Sequence, residues 1–179
     1  SDDIGVDSKV VRSYYEILED TLTGFMVPAY HRSFRRQQSM RPKFYLFDTG
    51  VARALTVRIH DPLTDLEVGK LLETFILHEL RAAMEHQGSG GELCYWRSSG
   101  GLEVDFVWTR GDKGVAVEVK AAAKWHDGDG RALKELASSG RVGRSYGVYR
   151  GKQALKHGGI LVLPSSQFLE RLHSGDVLG

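Results

Sequence analysis

Gly114-Val-Ala-Val-Glu-Val-Lys120 decides how this chain is read. The run is apolar and strand-like. Its alternation sets Glu118 and Lys120 on one face and Val117 and Val119 on the other. A charged pair inside such a run needs a reason, because burying charge without a partner is costly. Asp105 poses the same question in Leu102-Glu-Val-Asp-Phe-Val-Trp108. Two strands that each carry an inward acid, with a lysine two residues past the second acid, make a candidate metal site.

Working outward, Glu92–Arg97, Glu103–Trp108 and Val115–Lys120 read as three strands. Ser98-Ser-Gly-Gly101 and Arg110-Gly-Asp-Lys-Gly114 have turn compositions, so an antiparallel meander is expected. Upstream, apolar residues from Val68 to Ala83 recur at helical spacing, which predicts a helix over 66–86 capped by Thr64 or Asp65. Gly88-Ser-Gly-Gly91 reads as a flexible loop. Downstream come a helix near 130–139, strands at 144–149 and 159–163, and a last helix from Pro164. This order is that of an α/β sandwich with a mixed sheet.

Towards the N-terminus, Asp7 or Ser8 caps an apolar-periodic helix that Gly24 is expected to end. Phe25–Phe34 and Lys43–Phe47 read as strands around a basic loop carrying Arg35 and Arg36. A helix followed by a basic-tipped hairpin resembles the latter half of a winged helix-turn-helix, a unit that either contacts DNA, here through Arg35 and Arg36, or only packs against a neighbouring domain. The expected division is a partial winged helix over 1–47, beginning mid-domain, and a second domain over 48–179. Asp48-Thr-Gly-Val-Ala-Arg-Ala-Leu55 reads as a short helix.

Composition sets bounds. Hydrophobic residues make up 41%, enough for a core, and 24 basic against 23 acidic residues leave the chain near neutrality. Any nucleic-acid footprint must therefore be local. The single Cys94 excludes an internal disulfide or a cysteine zinc cluster and reads as a small buried hydrophobe. No run approaches a membrane span, so no membrane partner is expected and the cytoplasm is the default location. The histidines form no zinc-hydrolase pair, and no P-loop is present.

Glu73, on the long helix, reaches the strand acids if that helix packs across the sheet. Glu73, Asp105, Glu118 and Lys120 then form one constellation. Clustered carboxylates in a low-dielectric cleft bind protons or a divalent cation. Hard oxygen ligands favour Mg²⁺ or Mn²⁺. Asp105, Glu118 and the Val119 carbonyl are the candidate metal ligands, with Lys120 and Glu73 the candidate catalytic residues. Arg97 and Lys124 are candidate nucleic-acid contacts. The plainer readings are a structural Glu118–Lys120 ion pair, solvated positions for Asp105 and Glu73, and a surface salt bridge for Glu103.

These residues resemble the signature of the PD-(D/E)XK nuclease superfamily. Asp105 and Glu118-Val-Lys120 match its metal site, and Glu73 matches the helix acid of many members. Six stretches resemble, more closely, the C-terminal region of uncharacterised AAA-type ATPases that carries the domain of unknown function 4143. They are Lys43-Phe-Tyr-Leu-Phe-Asp-Thr-Gly50, Gly69-Lys-Leu-Leu-Glu73, Tyr95-Trp-Arg97, Glu103-Val-Asp-Phe-Val107, Val117-Glu-Val-Lys120 and Leu163-Pro-Ser-Ser-Gln-Phe-Leu169. The resemblance implies a restriction-endonuclease-like fold and metal-dependent hydrolysis of DNA. It also implies an ATPase module as partner, with ATP bound only in that preceding part. The alternative it leaves is an inactive DNA-binding or regulatory module. A homo-oligomer is compatible with either.

Overall fold

The computed structural model describes residues 7–30 and 40–179. Among them are five helices and eight strands. The loop carrying Arg35 and Arg36 lies outside the described residues, as does the distal part of the strand expected over 25–34.

Helix α1 (Ser8–Asp20) starts at Asp7, whose side chain accepts the Lys9 N–H at 2.9 Å. It ends earlier than the glycine suggested. Leu22 takes a left-handed φ of 58°. Leu22 N–H donates to the Glu19 carbonyl at 2.9 Å and Thr23 N–H to that of Leu18 at 2.9 Å, the paired bonds of a Schellman closure. Gly24 instead opens strand β1 (Gly24–Val27), where a Cβ would stand 2.0 Å from the Phe44 ring. That ring belongs to strand β2 (Lys43–Leu46), which pairs with β1 as an antiparallel two-stranded sheet. Helix α2 (Thr49–Leu55) follows, capped by Asp48.

Helix α3 (Asp65–His86) begins at a capping box. Thr64 Oγ1 accepts the Glu67 N–H, and Glu67 returns a carboxylate to the Thr64 N–H at 3.0 Å. Next come strands β3 (Glu92–Arg97), β4 (Glu103–Arg110) and β5 (Lys113–Lys120), the expected antiparallel meander. Helix α4 (Arg131–Ser138) crosses to β6 (Arg144–Tyr149), which runs parallel to β5. Strand β8 (Ile160–Pro164) runs parallel to β6, and helix α5 (Ser165–His173) follows it. The edge strand β7 (Leu155–His157) was not expected, since three residues, two of them polar, carry no periodic signal. The mixed six-stranded order is β3-β4-β5-β6-β8-β7.

Alternation then sorts the core into two layers. Val115, Val117 and Val119 meet Ile76, Leu77 and Leu80 of α3 and Phe168 and Leu172 of α5. Ala116 and Val107 meet Leu133 and Leu136 of α4 on the opposite face. Tyr45 of β2 joins the α3 layer, and Ala29 bridges Tyr95 of β3, so the small sheet is tied to the large one. Trp125 packs on Gly147, where a Cβ would come within 2.5 Å of the indole. Among the described residues no helix is long and apolar enough to cross a membrane.

Candidate metal and phosphate site

Strand β4 carries a bulge where the chemistry sits. The pairs Cys94↔Val107 and Trp96↔Val104 leave Tyr95 alone on β3 opposite both Asp105 and Phe106 on β4. The backbone pairing of β4 with β5 reaches Phe106↔Val117, and the next step would set Asp105 opposite Glu118. A bulge re-aims a side chain and interrupts the ladder. Here Asp105 Oδ2 takes the bond a ladder carbonyl would have taken, accepting the Val119 N–H at 2.8 Å. The N–H and C=O of one strand residue project to the same edge, so the Val119 carbonyl heads towards β4 as well.

Glu118 and Lys120 share a face of β5, and the Lys120 ammonium donates to Glu118 Oε1. The Glu118 side chain is only 5% exposed, whereas that of Lys120 is 35% exposed. Among the described residues, Glu118 Oε2 is buried without a hydrogen-bond partner. An unsatisfied carboxylate oxygen in such a place calls for a proton or a cation.

Glu73 is brought to the same cleft by α3, as the sequence suggested, but through partners that were not anticipated. The Tyr45 hydroxyl donates to Glu73 Oε1. Lys43 Nζ lies 3.3 Å from that oxygen, 2.6 Å from Glu103 Oε1 and 3.9 Å from Asp105 Oδ1. Lys43 and Tyr45 are both contributed by β2. Both lie in the family-like stretch 43–50, but nothing in it points them at Glu73, since their i, i+2 spacing is what any hairpin strand shows. Glu103 faces Lys43, with Arg97 Nε at 3.9 Å from its other oxygen. Arg97 and Lys124 are exposed, at the end of β3 and beyond the end of β5 respectively.

The electrostatics follow from burial. Desolvation, reinforced by the Glu73 charge, raises Asp105 to about 6, against the pull of the Val119 N–H, Lys43 and Lys120. Desolvation and the Asp105 charge raise Glu118 to about 8, although Lys120 pulls it down. Burial opposes the charged forms of Lys43 and Lys120, but the carboxylates around them outweigh it and both are raised. Burial and then Glu73 push the Tyr45 phenol up, which keeps it a donor.

These shifts have a stability consequence. Between its ordinary 4.5 and about 8, Glu118 keeps a proton when folded that the unfolded chain has released. Folding then weakens as pH rises through that window. The melting temperature of the metal-free protein is expected to fall from about pH 5 to about pH 8, and Glu118→Gln to flatten most of that slope. Thermal melts across the window check it; an unchanged slope in the variant would mean that Glu118 is not the titrating group.

The donor set suits a hard divalent cation at Asp105 and Glu118, where the orphaned oxygen lies. Among the described residues, however, no three acids or histidines converge closely enough to hold an ion together. Glu73 and Glu103 are turned to Lys43 instead.

Residues 1–62 match a domain of unknown function (DUF8612). No curated protein and no solved structure matches the chain. Residues 68–168, more than half of the 179, carry α3, Asp105, Glu118 and Lys120 and match a domain of unknown function (DUF4143); the chain belongs to the DUF4143 family.

Proposed function

We propose that this chain is a Mg²⁺- or Mn²⁺-dependent nuclease domain of restriction-endonuclease-like architecture that hydrolyses DNA phosphodiesters. The observation that carries the reading is the buried Glu118 Oε2, which lies beside Asp105 and has no hydrogen-bond partner among the described residues. Asp105, Glu118 and the Val119 carbonyl would hold the ion. When bound, the ion would polarise a phosphate oxygen and lower the pKa of a water. The chain's own groups do the rest. The Val119 N–H fixes the rotation of Asp105. Lys120, half-exposed and steadied by Glu118, faces the cleft as a charged donor that can orient water or neutralise charge growing on a phosphate. Glu73, held by Tyr45, is placed to accept a proton on the far side of Asp105. Arg97 and Lys124 would contact the DNA backbone, together with Arg35 and Arg36.

The test is calorimetric titration of Mn²⁺ into the wild type and Glu118→Gln, with a gel assay on plasmid, linear and single-stranded DNA. Binding lost in the variant, with cleavage lost alongside, is expected. Cleavage that persists undiminished in Glu118→Gln would remove the proposal.

A second reading is supported by Lys43, which pairs with both Glu73 and Glu103 without any metal. On it the domain is a non-catalytic DNA-binding or regulatory module of an AAA-type ATPase, with α1 and the β1–β2 hairpin as a winged-helix-like contact. Salt-sensitive DNA binding that survives Glu118→Gln, with no Mn²⁺ heat in either protein, would favour it.

A further inference from the structure

We infer that Lys43 is a tethered cation filling the second cation position of this cleft, so that the chain takes one divalent ion rather than two. The inference rests on the metal-binding reading above and concerns how many ions that site accepts. Two-metal phosphodiesterases hold their ions about 3.5–4 Å apart and share a carboxylate between them. Asp105 is placed for that shared role. On one side it neighbours Glu118, with its orphaned oxygen, and on the other it stands 3.9 Å from the Lys43 ammonium. Glu73 and Glu103, the acids available to a second ion, are both paired with Lys43, at 3.3 and 2.6 Å.

Charge balance points the same way. Four carboxylates (Glu73, Glu103, Asp105 and Glu118) face two ammoniums (Lys43 and Lys120). Fully ionised, they leave two negative charges, one of them offset by the Arg97 guanidinium 3.9 Å from Glu103. Removing Lys43 adds a further uncompensated negative charge on the side of Glu73, Glu103 and Asp105, which favours a cation there. Lys43 is also seated rather than merely nearby. Its ammonium lies 5.3 Å from the centroid of the Tyr95 ring, and the Tyr95 hydroxyl donates to the Arg41 carbonyl at 2.8 Å, just before β2. A covalently attached cation gives up little freedom to stay there, whereas a free ion must be drawn from solution.

The experiment titrates Mn²⁺ calorimetrically into the wild type, Lys43→Met, Lys43→Gln and Lys43→Arg, each checked for folding by thermal melt. Electron paramagnetic resonance of the loaded proteins follows. One ion in the wild type and in Lys43→Arg is expected, with two in Lys43→Met and Lys43→Gln showing the exchange coupling of a close Mn²⁺ pair. Glutamine keeps hydrogen-bonding capacity at the position, so it serves if methionine does not fold. Ions bound by the neutral variants but not by the wild type would overturn it, since the wild type would then take no ion at all. One ion in wild type and neutral variants alike would overturn it while leaving the metal site standing. No binding in any of the four proteins would overturn both.

Discussion

Asp105→Ala is expected to weaken Mn²⁺ binding severely, to slow metal-dependent DNA cleavage and to destabilise the fold. The two losses have different physical causes and can be separated. Asp105 is the acid between both halves of the cleft. Losing a ligand's charge stabilisation costs several kcal/mol, hence roughly a 100- to 1,000-fold fall in rate. The carboxylate is also the acceptor for the Val119 N–H, and Val119 is only 8% exposed. An orphaned donor at such a place costs about 1–3 kcal/mol. Asp105→Asn keeps an oxygen for that N–H but not the charge. It is expected to recover most of the stability and none of the metal affinity. Urea unfolding reads the first, calorimetry and plasmid nicking the second. If the asparagine variant binds Mn²⁺ like the wild type, Asp105 is a structural acid.

Trp108→Ala is expected to cost about 3–5 kcal/mol, the range for removing a large buried aromatic. Against a total stability of about 5–15 kcal/mol, that takes much of the population out of the folded state. Trp108 is 2% exposed in the layer between β4 and α3. Its Nε1–H donates to the Gly90 carbonyl at 2.8 Å. The glycine loop after α3, which composition marks as flexible, is thereby clamped to the sheet. Gly91 sits so close that a Cβ would meet the indole nitrogen at 2.9 Å, and Arg110 bonds the Ser89 carbonyl beside it. Trp108→Phe keeps most of the apolar contact and loses the hydrogen bond, for about 1–2 kcal/mol. Denaturant midpoints followed by circular dichroism rank the three proteins. Equal midpoints for Phe and Ala would place the effect in the hydrogen bond rather than the packing.

The contrast between these sites shows what was legible beforehand. Asp105, Glu118 and Lys120 announce themselves because charges interrupt apolar strands at period two. Glu73 announces itself as an acid on the apolar side of a long helix. The meander was legible from its glycine turns, and α3 from Thr64 and its apolar repeat. Lys43 and Tyr45 were hidden, since their partner Glu73 lies 30 and 28 residues away and only the docking of β2 brings them together. The bulge at Asp105 and Phe106 was equally silent, for no glycine marks it. The end of α1 was misplaced because Leu22, not Gly24, adopts the left-handed turn.

The two family matches, over 1–62 and 68–168, leave only residues 63–67 between them, at the start of α3. Lys43 and Tyr45 fall in the first and every other residue of the cleft in the second. The cleft thus draws its residues from both matched regions. An exchange of the N-terminal module during evolution would import new residues at positions 43 and 45. It would reset the cleft's charge while leaving Asp105, Glu118 and Lys120 untouched.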